Sequence, residues 1–234
     1  MAARRGSRSG ATRKGGSKPA GTPLKAIGPT NLRIIGGSMG GRLVRYNGER
    51  STRPMKDSVR ENLFNVLGKN AMIGSIAWDV FAGTGILGIE SISRGADRAV
   101  CIEWNRPMAK SITDAVEKLQ ITDRVRVVLG DSFRMLPQMM SRETEPKPWI
   151  VYICPPYVFW EERTKEVFEM ICWVAEHAPA GSVIVVETDA HWDMAQLPLE
   201  PWDIRRYGST QLGFYEPIPM CGAGEDLASM EPVE

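Results

Sequence analysis

The sequence is poor in the residues that build metal centres and covalent frameworks. Of its 234 residues, four are cysteine and two are histidine. Cys101, Cys154, Cys172 and Cys221 are widely spaced and form no CxxC pair, which argues against a zinc ribbon or a disulfide framework. His177 and His191 alone do not make a histidine-rich metal site, so no metal is expected. No apolar run approaches the roughly 18 residues that a membrane span needs. Met1–Gly16 lacks an apolar h-region, so no secretory signal is expected. A reducing, cytoplasmic setting is the default for such a chain. Hydrophobic residues make up 43%, enough for a proper core, and the length suits one domain plus an appendage, or at most two domains.

Acids are missing too, but only locally. Residues 1–48 carry ten bases and no acid, while the rest carry 19 bases and all 28 acids, so a +10 arm precedes a −9 body. The split points to a polyanionic partner held at one end. Residues 1–30 combine Arg, Lys, Gly and Ser with Pro19, Pro23 and Pro29, and cannot bury enough surface to offset their ordering entropy. They read as a disordered basic tail. It is an RNA-gripping arm, a solvated tail without a specific role or, less well supported because it lacks an amphipathic face, a transit peptide. Residues 217–234 form an acidic, loose tail.

Between the tails, Leu32–Ile35 and Arg42–Val44 read as short strands around a glycine-rich turn. Met55–Leu67 follows Pro54 and has apolar residues at one-face spacing, which predicts a helix stopped by Gly68. Its opposite face presents Lys56, Asp57, Arg60 and Glu61. Strands at Ile76–Val80, Ala99–Glu103, Val125–Leu129, Trp149–Ile153 and Ser182–Glu187 alternate with helices at Ile86–Ser93, Pro107–Leu119 and near Glu161–Ala175. Such alternation predicts an α/β, doubly wound, mostly parallel sheet of Rossmann type. Ile204–Tyr207 and Gln211–Tyr215 predict a closing antiparallel hairpin.

The run Asp79-Val-Phe-Ala-Gly-Thr-Gly-Ile-Leu-Gly88 satisfies G-x-G-x-x-G with Gly83, Gly85 and Gly88, and Glu103 ends the next strand. Alone this permits a dinucleotide, and hence an NAD-type oxidoreductase. Asp79 argues against it, because a carboxylate in the crevice repels a pyrophosphate and suits a cation such as S-adenosylmethionine. On that reading Gly83 and Gly85 let the ligand pass close and Asp79 attracts its ammonium group. Glu103 accepts from the ribose hydroxyls, and Asp131 accepts from the adenine amino group. Phe81 belongs to the same loop, and Trp104 packs either on the adenine or in the core.

Trp149–Ile153 runs into Cys154-Pro155-Pro156-Tyr157. This loop resembles the DPPY/NPPY motif of amino-group methyltransferases. More narrowly, the chain resembles the RsmD family of small-subunit rRNA guanine-N2 methyltransferases from about Leu32 to Tyr215. The family-specific part is Thr52-Arg-Pro with Val59-Arg-Glu-Asn-Leu-Phe-Asn65; Phe81-Ala-Gly-Thr-Gly85, Ser93-Arg-Gly-Ala96 and Arg206-Tyr-Gly-Ser-Thr210 also match. The resemblance implies a class I methyltransferase fold over 73–216, an RNA-binding extension over 31–72, S-adenosylmethionine as cofactor and rRNA or an assembling small subunit as partner. A monomer is expected.

The resemblance also implies how the loop acts. An exocyclic amine is a poor nucleophile, and the family's Asp or Asn oxygen and first-proline carbonyl accept its two N–H groups. Tyr157 offers a ring face to an extruded base. Here Cys154 stands at the Asp/Asn position, and a thiol is a weak acceptor. The alternative is therefore a catalytically impaired methyl-donor-binding protein that docks on pre-ribosomal RNA. Arg53, Lys56, Arg60 and Arg206 are the candidate RNA contacts.

Overall fold

The computed structural model describes residues 30–46 and 54–218. The expected basic tail up to residue 29, Arg53, and the acidic tail from residue 219 lie outside the described residues. Among the described residues, no helix is long and apolar enough to cross a membrane.

The chain opens with an antiparallel pair, β1 (Thr30–Arg33) and β2 (Leu43–Tyr46). The expected strand positions shift slightly, but Ile34 and Arg42 stay linked because the Ile34 N–H donates to the Arg42 carbonyl at 2.9 Å. The turn between them lies on the end of a later helix. At Gly37, φ is +78° and a Cβ would meet the Ser93 carbonyl oxygen at 1.9 Å, so only glycine fits. Helix α1 (Asp57–Met72) breaks its helical geometry at Gly68, as its sequence predicts, but one further turn runs on to Met72.

The body follows as β3 (Ile76–Asp79), α2 (Ile86–Arg94), β4 (Arg98–Glu103), α3 (Arg106–Leu119), β5 (Val125–Leu129), α4 (Ser132–Met140) and β6 (Trp149–Ile153). Then come the single turn α5 (Phe159–Glu162), α6 (Thr164–His177), β7 (Val183–Asp189), and the hairpin of β8 (Asp203–Tyr207) and β9 (Thr210–Tyr215). Helix α4 is not anticipated by the sequence reading. Pro137 sits inside it and removes one backbone donor, yet Leu136 and Met140 are buried and hold the segment helical.

The seven-stranded sheet has the order β5-β4-β3-β6-β7-β9-β8. Strands β3 to β7 run parallel, whereas β9 pairs antiparallel with both β7 and β8. The order reverses between β3 and β6, which opens a crevice outside their carboxyl ends, where such sheets take ligands. One core cluster buries the N-terminal hairpin together with residues of α1, α2 and α3. The other buries Trp78, Trp149 and Trp160 with residues of α4 and α6. The N-terminal extension thus shares the core of the body.

Arg60 corrects an expectation. Read as an exposed RNA contact, it is fully buried beneath the N-terminal hairpin and α2. Its Nε donates to Glu90 Oε2 at 2.8 Å, and Nη2 donates to the Arg33 carbonyl and to Asp57 Oδ1 at 3.0 Å. Glu90 Oε1 accepts from Arg94, whose Nη2 lies 2.9 Å away. Breaking such a buried pair leaves a charge unpaired, at a cost of about 3–5 kcal/mol. Arg60→Ala should therefore lower the thermal midpoint by roughly 10 °C. Differential scanning fluorimetry checks this, and a change below 2 °C would contradict the role of the pair.

Candidate functional site

The carboxyl ends of β3, β4, β6 and β7 gather the acidic and aromatic residues that the sequence singles out. After β3 the chain turns through Phe81-Ala-Gly-Thr-Gly85 into α2. The Ala82 N–H donates to the Ile102 carbonyl and the Gly85 N–H to the Ala82 carbonyl, which pins the loop against β4. Gly85 has φ +70° and its missing Cβ would lie 2.7 Å from Ile112, so the backbone comes closer to α3 than any side chain allows.

Two carboxylates brace this loop from below. Glu103 Oε2 accepts from the Gly83 N–H at 2.7 Å, and Oε1 accepts from the Asn105 N–H at 2.8 Å. Burial raises the Glu103 carboxyl above its ordinary range, while these bonds pull it back. Asp79 Oδ2 accepts from the Gly88 N–H at 3.1 Å. Asp79 is pushed up to about 7, first by burial and further by the charge of Glu103. Among the described residues no base pairs with these two acids, so the crevice suits a cation and repels a phosphate.

Asp131 ends the loop after β5 and is exposed; its Oδ1 caps α4 by accepting from the Phe133 N–H at 2.9 Å. Trp104 is 66% exposed beside Glu103, so the core role considered for it is excluded. Phe81 joins an aromatic group that sequence reading does not reveal. Its ring centroid lies 5.4 Å from Phe133 and 6.3 Å from Phe159, and the Arg163 guanidinium sits 3.9 Å over Phe133.

Cys154 follows β6 and is half-buried. Burial and then the nearby charges of Glu187 and Asp79 hold its thiol well above the ordinary range, so it stays neutral. Pro155 is buried, and its carbonyl has no hydrogen-bond partner among the described residues. The Pro156 carbonyl, by contrast, accepts from the Phe159 N–H at 2.8 Å. Tyr157 is 39% exposed and its hydroxyl donates to Glu187 Oε1 at 2.9 Å. Glu187, near the end of β7, is a site residue that the sequence reading misses. The signal was local only, a lone acid after four β-branched residues.

Lys56 and Arg206 are exposed on α1's leading edge and on the edge strand β8, and no contact brings them together. Among the described residues, no group of three or more His, Cys, Asp or Glu could hold a metal ion.

A family model described as Conserved hypothetical protein 95 matches residues 32–216. Ribosomal RNA small subunit methyltransferase D of Escherichia coli K12 is 31% identical over 180 residues, covering 76% of this chain and 85% of that relative. The solved structure of the Escherichia coli protein yhhF superposes with a TM-score of 0.61 at 26% identity, over 80% of this chain and 98% of that one. The T. thermophilus 16S rRNA N2-guanine methyltransferase RsmC, solved with AdoMet and guanosine, superposes with a TM-score of 0.62 over 84% of this chain and 52% of that one. At 17% identity it bears on the fold alone.

The raised carboxyl of Asp79 has a consequence for stability. The folded chain keeps this proton up to pH about 7, whereas the unfolded chain releases it near 3.8. The unfolded state therefore binds fewer protons in between, and stability falls as pH rises across that window. Asp79→Asn abolishes this contribution. The thermal midpoint of the wild type relative to the variant should fall from pH 5 to pH 8, and a constant difference would contradict the burial.

Proposed function

This chain belongs to the Conserved hypothetical protein 95 family, that of ribosomal RNA small subunit methyltransferase D, and on that premise we propose that it methylates the N2 amino group of a guanine in small-subunit rRNA, with S-adenosylmethionine as methyl donor. The observation that carries this reading is the pairing of two loops at one crevice. The glycine loop braced by Glu103 and underlain by Asp79 ends β3, and Cys154-Pro155-Pro156-Tyr157 ends its neighbour β6. The residues fit the donor: the glycine loop admits a close ligand, and the two desolvated acids favour a cationic one over NAD.

When bound, S-adenosylmethionine supplies an electrophilic methyl group on a cationic sulfur. Asp79 holds its ammonium group, Glu103 its ribose hydroxyls, and Asp131 its adenine amine. Phe81, Trp104 and the aromatic rings beside Asp131 flank the base. On the other side Tyr157 stacks on the extruded guanine, and the free Pro155 carbonyl accepts one N–H of the target amine. Positioning of this kind aims the nitrogen lone pair along the line of displacement. The binding-only alternative is not favoured, because an acceptor for the amine survives the loss of Asp/Asn at 154.

Lys56 and Arg206 have no ion-pair partner among the described residues, and together with Arg53 and the basic tail they grip phosphates. The working form is a cytoplasmic monomer, acting on rRNA or the assembling subunit.

Transfer of a labelled methyl group to small-subunit rRNA lacking this modification tests the reading, with the modified base identified by nuclease digestion. Calorimetry should show binding of S-adenosylmethionine and none of NAD; the reverse would overturn the assignment. Because Asp79 must ionise to pair with the donor's ammonium group, affinity should rise from pH 6 to pH 7.5, with close to one proton released per donor bound at pH 6 and fewer as the pH passes 7. Asp79→Asn should weaken binding and flatten the profile.

A further inference from the structure

We propose that the Glu187 carboxylate, rather than the Cys154 side chain, is the side-chain acceptor for the second N–H of the target amine and takes its proton. This rests on the methyl-transfer reading of the same site. The register between β6 and β7 pairs Ile153 with Val186, so the next residues on each strand, Cys154 and Glu187, lie side by side at the mouth of the crevice. Burial and the nearby charges of Glu187 and Asp79 keep the Cys154 thiol neutral, and a neutral thiol is a weak acceptor.

Glu187 itself is oriented and incompletely used. Its Oε1 accepts from the Tyr157 hydroxyl at 2.9 Å. This bond fixes the carboxylate beside the ring on which the base is to stack. Its Oε2 has no partner among the described residues, and no cation pairs with the group. A half-buried carboxylate with a free oxygen, held by one donor only, is costly unless a ligand completes it. Burial also pushes its proton affinity up, which makes it a better base than an exposed glutamate.

The step balances as follows. The amine nitrogen forms a bond to the methyl carbon while the carbon–sulfur bond breaks, and that electron pair stays on sulfur. The nitrogen then carries a surplus proton, which passes to Glu187 Oε2 and from there to solvent. The Pro155 carbonyl holds the other N–H throughout. Cys154 contributes no charge to this arrangement.

A double-variant cycle distinguishes this role from simple bracing of Tyr157. Single-turnover methylation of small-subunit rRNA is measured for Glu187→Ala, Glu187→Gln and Tyr157→Phe, each in the wild-type and the Cys154→Asn background, beside calorimetric donor binding. Glu187→Ala should slow transfer on the order of 100-fold while donor affinity changes by less than about threefold. Glu187→Gln keeps the shape and an acceptor oxygen but takes no proton, so it folds and loses rate to an intermediate extent. Tyr157→Phe keeps the ring and should lose less than Glu187→Ala. In the Cys154→Asn background the amide oxygen restores an acceptor, and the Glu187→Ala loss should shrink to below tenfold. Equal losses for Glu187→Ala and Tyr157→Phe in both backgrounds, or no loss at all, would overturn the proposal and leave the enzyme assignment standing. A wild type that binds the donor yet transfers nothing to rRNA would overturn the assignment itself, and this role with it.

Discussion

The buried carboxylate of Glu90 is the contact around which the rest is arranged. It receives Arg60 from the N-terminal extension and Arg94 from its own helix. Helix α2 needs such fixing because little local chemistry determines its position. It is nine residues long, starts at a glycine with no side-chain cap, and is buried from Ile86 to Ser93. Its carboxyl end is gripped by the turn at Gly36 and Gly37, where Ser93 Oγ donates to the Gly36 carbonyl at 2.6 Å. Its amino end is tied to Asp79 through Gly88. A buried pair adds little net stability over a well-packed apolar substitute. What it adds here is a fixed rotation of the helix, and the glycine loop at the start of that helix inherits the placement.

The extension is thereby a structural support of the candidate site. Leu32, Ile34, Val44 and Tyr46 sit in the same cluster as Ile86, Ile89 and Ile92. This explains why Arg60 could not be assigned from sequence. Helical spacing puts Lys56, Asp57, Arg60 and Glu61 toward one side of α1, but periodicity does not say what covers that side. The hairpin covers Arg60 and leaves Lys56 in solvent. The parallel strands, the glycine loop and the acids Asp79 and Glu103 were legible, because each follows from short-range alternation and from a motif that ends a strand. Helix α4 was not, because Pro137 argues locally against the helix that Leu136 and Met140 stabilise by packing. Glu187 was not either, since its neighbours Cys154 and Tyr157 reach it only through the β6–β7 register and a loop about thirty residues away. The hairpin was legible as a hairpin. Its insertion, with β9 against β7 and β8 at the edge, depends on pairing that no local pattern encodes.

The electrostatics of the crevice follow from the same topology. A parallel sheet covered on both faces places its strand ends in a region poor in water, and here those ends carry Asp79, Glu103 and Glu187. Each is raised by burial before any other cause. No lysine or arginine pairs with them among the described residues. An uncompensated set of acids of this kind is unfavourable in the free protein and becomes favourable only when a cation enters. Such a set of acids favours a cationic ligand and disfavours a phosphate.

That setting gives the thiol at 154 a physical meaning. A carboxylate at this position would stand next to Glu187 and within the influence of Asp79, and like charges at close range cannot all ionise. One of them would hold a proton, which on the proposed reading would occupy an acceptor oxygen meant for the target amine. The thiol avoids that competition, because the same surroundings keep it neutral. It adds no charge beside Glu187 at the mouth of the crevice. On the proposed reading the side-chain acceptor thus lies at the β7 end rather than the β6 end, and the hydrogen bond between Tyr157 and Glu187 links the stacking ring to it.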